Sequence, residues 1–276
     1  MDTRRTLFLW LTAVLAGLPA SAGGRPEFDV SVTSSGLVVA AASIDGHGPY
    51  PFIVDTGATT TTVDENLASR LELKAPESIR IVTLNGSFDA PLLLVDMLTI
   101  GKLQLGPARV ASMPLGELGR DGSRIAGIIG QDVLRRHVLT VDYTRRRAML
   151  SARTCDTGDT AVAIQWADGR PMVEAHVLPF AGAQRLVIDS AANALILFVQ
   201  DAPGGSSGEA QVLSHRGAAR GRFVPRARVI VGGLNIQGPA ALLSPREART
   251  EDGLLPASWF SRVCIDGPRA QVVLTR

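Results

Sequence analysis

Cysteine, tyrosine and tryptophan are scarce in this sequence, with two, two and three in 276 residues, and aromatics make up only 5%. Two cysteines are too few for a disulfide-knitted mini-scaffold or a four-cysteine zinc site. The four histidines, His47, His137, His176 and His215, stand in unrelated settings without metal-ligand spacing, so no metal and no cofactor are expected. Blocks of like charge are also missing. Lys plus Arg exceed Asp plus Glu by only 28 − 26 = 2, and Arg135-Arg136 and Arg145-Arg146-Arg147 read as solvated turns, which argues against a nucleic-acid partner. There is no serine nucleophile elbow and no phosphate-cradling glycine loop. After the first two dozen residues no apolar run is long enough to cross a bilayer.

What is present is aliphatic and turn-rich. Hydrophobic residues reach 46%, with 28 Gly and 16 Pro, a balance that suits short strands joined by tight turns and predicts a mainly β protein. Helical periodicity is confined to Asp64 to Leu73 and Gln131 to His137. The N-terminus has Arg4-Arg5, an apolar stretch from Leu7 to Leu18, and small residues Ala20-Ser21-Ala22. That pattern predicts an export signal over residues 1–22 and an exported, periplasmic or secreted protein with no stable membrane span after cleavage. Thr3 to Phe8 is similar to a twin-arginine signal, and the general secretory route is equally open. In an oxidising compartment Cys155 and Cys264 are either one disulfide or two buried thiols.

The chain also says one thing twice. Ile53-Val-Asp-Thr-Gly-Ala58 returns as Val187-Ile-Asp-Ser-Ala-Ala192, the aspartates being 189 − 55 = 134 residues apart. Ile100 to Ala108 returns as Val231 to Ala240, and Gly127-Ile-Ile-Gly-Gln-Asp-Val-Leu134 as Gly253-Leu-Leu-Pro-Ala-Ser-Trp-Phe260. Both copies then reach a strand ending in Asp, at Asp142 and Asp266. Three pairs in the same order predict two similar lobes, residues 25–151 and 152–276, about an approximate two-fold axis with a cleft between them.

Asp55 and Asp189 are the chemically potent pair in equivalent, strand-terminating loops. Two carboxyls held close together cannot both ionise cheaply, so the pair keeps one proton over a broad acidic range and serves as base and acid at once. One member takes a proton from a water molecule while the other polarises a peptide carbonyl, with no covalent intermediate.

Asp55-Thr56-Gly57-Ala58, followed by Ile128-Ile129-Gly130, resembles the retropepsin and pepsin-like aspartic peptidases, and the stretch from Gly127 through Tyr143 to Leu150 is similar to bacterial aspartyl-protease-like sequences. The resemblance implies two β-barrel-like lobes of the acid-protease fold and an aspartic endopeptidase acting on a peptide or protein substrate laid in the cleft. It implies Asp55 and Asp189 as catalytic, Thr56, Gly57 and Ser190 as supporting, and a flap from Ile81 to Leu92 whose tip, Asn85, Gly86 and Ser87, contacts substrate. With both halves in one chain a monomer is expected. The second lobe departs from the pattern at Ala191 and Pro256, where glycines are expected, and Asn193 just beyond is a candidate for an extra hydrogen bond. Its flap equivalent falls near Ser214 to Phe223. Two rivals follow: a catalytically silent exported peptide-binding protein, and a peptidase whose first lobe borrows its partner aspartate from a second chain.

Overall fold

The computed structural model describes residues 28–116, 124–151, 153–156, 160–200, 208–214 and 217–276. The expected export signal and His215 lie outside these residues. The first half carries β1 (Phe28–Val32), β2 (Val38–Ile44), β3 (His47–Val54), β4 (Thr62–Asp64), α1 (Glu65–Arg70), β5 (Glu77–Thr83), β6 (Gly86–Val95), β7 (Leu98–Ile100), β8 (Leu103–Leu105), β9 (Ala108–Met113), β10 (Gly127–Ile129), α2 (Gln131–Leu134), β11 (Val138–Asp142) and β12 (Arg147–Ser151). The second carries β13 (Thr160–Ala163), β14 (Gln165–Ala167), β15 (Arg170–Leu178), β16 (Gln184–Asp189), β17 (Leu195–Phe198), β18 (Glu209–Ser214), β19 (Gly217–Val231), β20 (Leu234–Leu243), β21 (Gly253–Pro256), a short 3-10 turn, β22 (Arg262–Asp266) and β23 (Gln271–Thr275). The protein is mainly β, in a two-lobed acid-protease-like arrangement.

The duplication read from sequence is a duplication of topology. In the first lobe the strand order is β3-β10-β4-β9-β6-β5, and in the second β16-β21-β17-β20-β19-β18. Each step keeps its sense, the β3–β10 and β4–β9 pairs and their counterparts β16–β21 and β17–β20 being parallel and the rest antiparallel. Alternation explains the strands: in β2, Val38, Ala40, Ala42 and Ile44 are buried and the residues between them more exposed. Each lobe has its own aliphatic core, one around Phe52, Leu98 and Ile129 and the other around Ile188, Leu255 and Phe260. The lobes share the run β1-β12-β11-β22-β23-β13, in which β11 pairs antiparallel with β22.

The helices are shorter than the periodicity suggests. Asp64 caps α1 by accepting from the Asn66 N–H, and the helix stops at Arg70 because Glu72 adopts a left-handed φ of 51°. From Arg135 to His137 the chain continues as turns and then enters β11. Cys155 and Cys264 form a disulfide with their Cα atoms 5.8 Å apart, tying the segment between the lobes to β22.

Candidate active site

Three buried apolar residues, Phe52, Ile53 and Val54, bring the chain to Asp55 beside β10, where the Asp55 N–H donates to the Ile129 carbonyl at 3.0 Å. The loop then curls back so that the N–H groups of Gly57 and Ala58 donate to Asp55 Oδ1 at 2.8 and 3.2 Å. Asp189 repeats this geometry, accepting from Ala191 and Ala192 at 2.8 and 2.9 Å. The residue after each aspartate reaches into the other lobe. Thr56 Oγ1 donates to the Ile188 carbonyl at 2.6 Å and accepts from the Ser190 N–H at 3.0 Å. Ser190 Oγ donates to the Val54 carbonyl at 2.7 Å and accepts from the Thr56 N–H at 3.0 Å. Thr56 and Ser190 are buried. These four reciprocal bonds hold two loops 134 residues apart in sequence in one register.

The carboxyls converge on Gly57. A methyl placed on Gly57 would lie 2.7 Å from Asp189 Oδ2 and 3.2 Å from Asp55 Oδ1, so the two groups sit within the span of one bridging water and leave no room for a side chain at residue 57. Burial, then the Asp189 charge, push the Asp55 carboxyl up to about 7 against the N–H groups of Gly57 and Ala58. Burial also raises Asp189, opposed by its two backbone donors and by the Arg170 charge. The Tyr143 hydroxyl, buried and without a hydrogen-bond partner among the described residues, is raised by burial and by Asp189.

The scaffolds around the two loops differ. In lobe one Gly130 presses on the backbone of Thr60, which a Cβ would meet at 2.7 Å. Its N–H donates to Thr61 Oγ1 at 3.1 Å, Gln131 Nε2 donates to the Thr56 carbonyl at 2.9 Å, and Asp132 accepts from Thr61 N and Oγ1 at 2.9 and 2.7 Å. In lobe two Pro256, extended at φ −61° and ψ 123°, stands beside Asp189 and lengthens the β16–β21 ladder by one pair. Ala191 avoids the left-handed region, and it is half-buried against a first-lobe cluster that includes Leu115 and Ile125. Neither substitution displaces the carboxylate donors. Asn193 is exposed and makes no hydrogen bond to either carboxyl among the described residues.

The expected flap is the β5–β6 hairpin, in which Thr83 faces Gly86, so its turn residues are Leu84 and Asn85, one position earlier than expected. Gly86 follows at φ 106°, open to glycine alone without strain. The tip rests on lobe two. Arg249 donates to the Thr83 carbonyl at 2.6 Å and Arg246 to the Asn85 carbonyl at 3.4 Å, Ser87 Oγ donates to Glu247, and Leu84 packs against the lobe-two cluster that includes Ile196 and Leu243. Behind this contact, buried Glu251 takes both Arg170 (3.1 and 2.7 Å) and Arg249 (3.0 Å). Burial resists its ionisation, yet the Arg170 bonds and charge hold its carboxyl below the usual range. Sequence reasoning missed Arg170, Arg249 and Glu251, because a charged residue beside a turn, as Arg170 is at the start of β15, or in an Arg-rich loop, as Arg249 and Glu251 are, looks like solvated surface until packing buries it. The lobe-two counterpart of the flap is the β18–β19 hairpin, which begins earlier than expected, at Glu209.

A family comparison bears on the first lobe. Residues 40–133 match the aspartyl protease family model. The matched segment takes in the Asp55 loop, the flap and Ile128-Ile129-Gly130, and it ends before the second lobe, so Asp189 lies outside it. No curated protein matches the chain. Together the match and the fold support aspartic-protease chemistry in general terms. No helix among the described residues is long and apolar enough to cross a membrane.

Proposed function

We propose that this protein is an exported aspartic endopeptidase that hydrolyses peptide bonds with a water molecule activated between Asp55 and Asp189. The observation that carries this reading is the reciprocal bonding of Thr56 and Ser190, which sets two equivalent carboxylates side by side within one chain. Each carboxylate keeps one oxygen engaged by two backbone donors, an arrangement that fixes its orientation. The ionised member accepts a proton from water as the water oxygen attacks the carbonyl carbon. The protonated member donates to the carbonyl oxygen; the proton taken from water then passes to the amide nitrogen as the C–N bond breaks, the other carboxylate takes back a proton from the diol, and a carboxylic acid and an amine are released. Substrate enters as an extended strand between the flap and the cleft floor. The intrachain pair makes a second chain unnecessary, which supports a monomer. The Cys155–Cys264 disulfide supports export to an oxidising compartment.

The test is cleavage of a mixed peptide pool by wild type, Asp55→Asn and Asp189→Asn across acidic pH. Each substitution is expected to lower the rate by about 10³-fold or more, since each removes one half of an acid–base pair. Activity surviving Asp189→Asn excludes the shared pair. No cleavage by wild type at any pH supports the silent binding protein instead.

A further inference from the structure

The two aspartates have the same backbone donors, so the tie between them is broken by something else. In lobe one Val39 faces Ile53, and continuing that antiparallel register by two residues sets Leu37 across from Asp55. In lobe two Met172 faces Val187, and the same step sets Arg170 across from Asp189. Equivalent positions therefore hold a buried leucine in one lobe and a guanidinium in the other.

Arg170 bonds Glu251 through both terminal nitrogens, and Arg249 shares that carboxylate, so two cations meet one buried anion. Asp168, at 3.7 Å from Arg170, is more than half exposed and screened by water. The Arg170 Nε is buried with no hydrogen-bond partner among the described residues. Among the described residues the other titratable group paired electrostatically with Asp189 is Tyr143, whose hydroxyl is kept protonated by burial and the Asp189 charge.

We propose that Arg170 decides which aspartate carries the shared proton, keeping Asp189 as the ionised base and leaving Asp55 as the acid. The direction of the shifts agrees in that the Asp189 charge raises Asp55; Arg170 opposes the rise of both carboxyls, and the strand register sets it across from Asp189. In the reaction, the water O–H bond breaks toward Asp189 while the Asp55 proton passes to the carbonyl oxygen. Arg170 is a positioning residue, acting on the water only through Asp189. This assignment rests on the dyad reading above.

The experiment is ¹³C NMR titration of carboxyl-labelled aspartate in the full protein, with signals assigned through Asp55→Asn and Asp189→Asn, alongside the pH profile of kcat/KM. In wild type the Asp189 signal is expected to move at lower pH than that of Asp55. Arg170→Gln leaves Glu251 paired with Arg249, and should bring Asp189 up toward Asp55 and cut kcat/KM at the acidic end about tenfold, a one-unit displacement of that limb. Arg170→Lys keeps the charge and should restore the order. If Asp55 titrates first in wild type, or if Arg170→Gln leaves the order and the acidic limb unchanged, the assignment is overturned. The titration needs no turnover, so an inactive wild type counts against the peptidase reading and leaves the NMR to judge Arg170.

Discussion

The two lobes place the same functional group in the same geometry by different means. Lobe one surrounds the Asp55 loop with side-chain hydrogen bonds from Thr61, Gln131 and Asp132, and needs Gly130 for a close backbone approach. Lobe two supports Asp189 with a longer β ladder ending at Pro256, with the Ala191 methyl packed into the neighbouring lobe, and with buried charge at Arg170, Arg249 and Glu251. What is common to both is small: two backbone N–H groups on one carboxylate oxygen and a hydroxyl reaching across the axis. A carboxylate needs position and donors, and several surroundings supply them.

The largest effect that tests this comparison is an exchange of the small residues. Gly57→Ala puts a methyl 2.7 Å from Asp189 Oδ2, and peptide cleavage should fall by about 10²-fold or more, the loss expected from misplacing catalytic groups by about 1 Å. Ala191→Gly removes a methyl that packs on lobe one and should leave kcat/KM within about threefold, with a stability loss of about 1 kcal/mol. Equal losses from the two would mean that the loops are interchangeable after all.

Next comes the axis itself. Thr56→Val strands the Ile188 carbonyl and the Ser190 N–H, while Ser190→Ala strands the Val54 carbonyl and the Thr56 N–H. Each should cost about 2–4 kcal/mol by urea denaturation, and the double variant less than the sum, because the four bonds form one network. Additive losses would show that the lobes hold together elsewhere, at the β11–β22 pair.

The smallest effect is on pH-dependent stability. Burial raises the Asp55 carboxyl from 3.8 to about 7, so the folded state holds this proton more tightly than the unfolded state does. The contribution is fully present below 3.8 and is lost as pH rises through about 7. Between pH 4 and pH 8 wild type should lose about 1 kcal/mol more than Asp55→Asn, a modest figure because the site is partly open to water. Parallel thermal-melting curves for the two proteins would contradict it.

Much of the site was legible in the residues. The repeated Asp-Thr-Gly and Asp-Ser-Ala turns, the apolar strands before them and the apolar segments that follow identified both loops and both halves of the topology. The flap was legible from Asn85-Gly86, off by one because a left-handed Gly86 closes the turn after Leu84-Asn85. The helices were overread, since four or five apolar spacings in a short window do not show where a backbone reverses at Glu72.

By itself the sequence determined the architecture: alternation and turn residues are local, and a duplicated order of local signals dictates a duplicated topology. Only the tertiary structure decided which pairs of distant groups meet. The reciprocal bonds of Thr56 and Ser190, the Cys155–Cys264 bridge, the flap tip resting on Arg249, and Arg170 across from Asp189 all depend on contacts between residues far apart in the chain. Their energetic meaning arises from burial, which turns an ordinary arginine or glutamate into a strong local field, and burial is a property of the packed molecule.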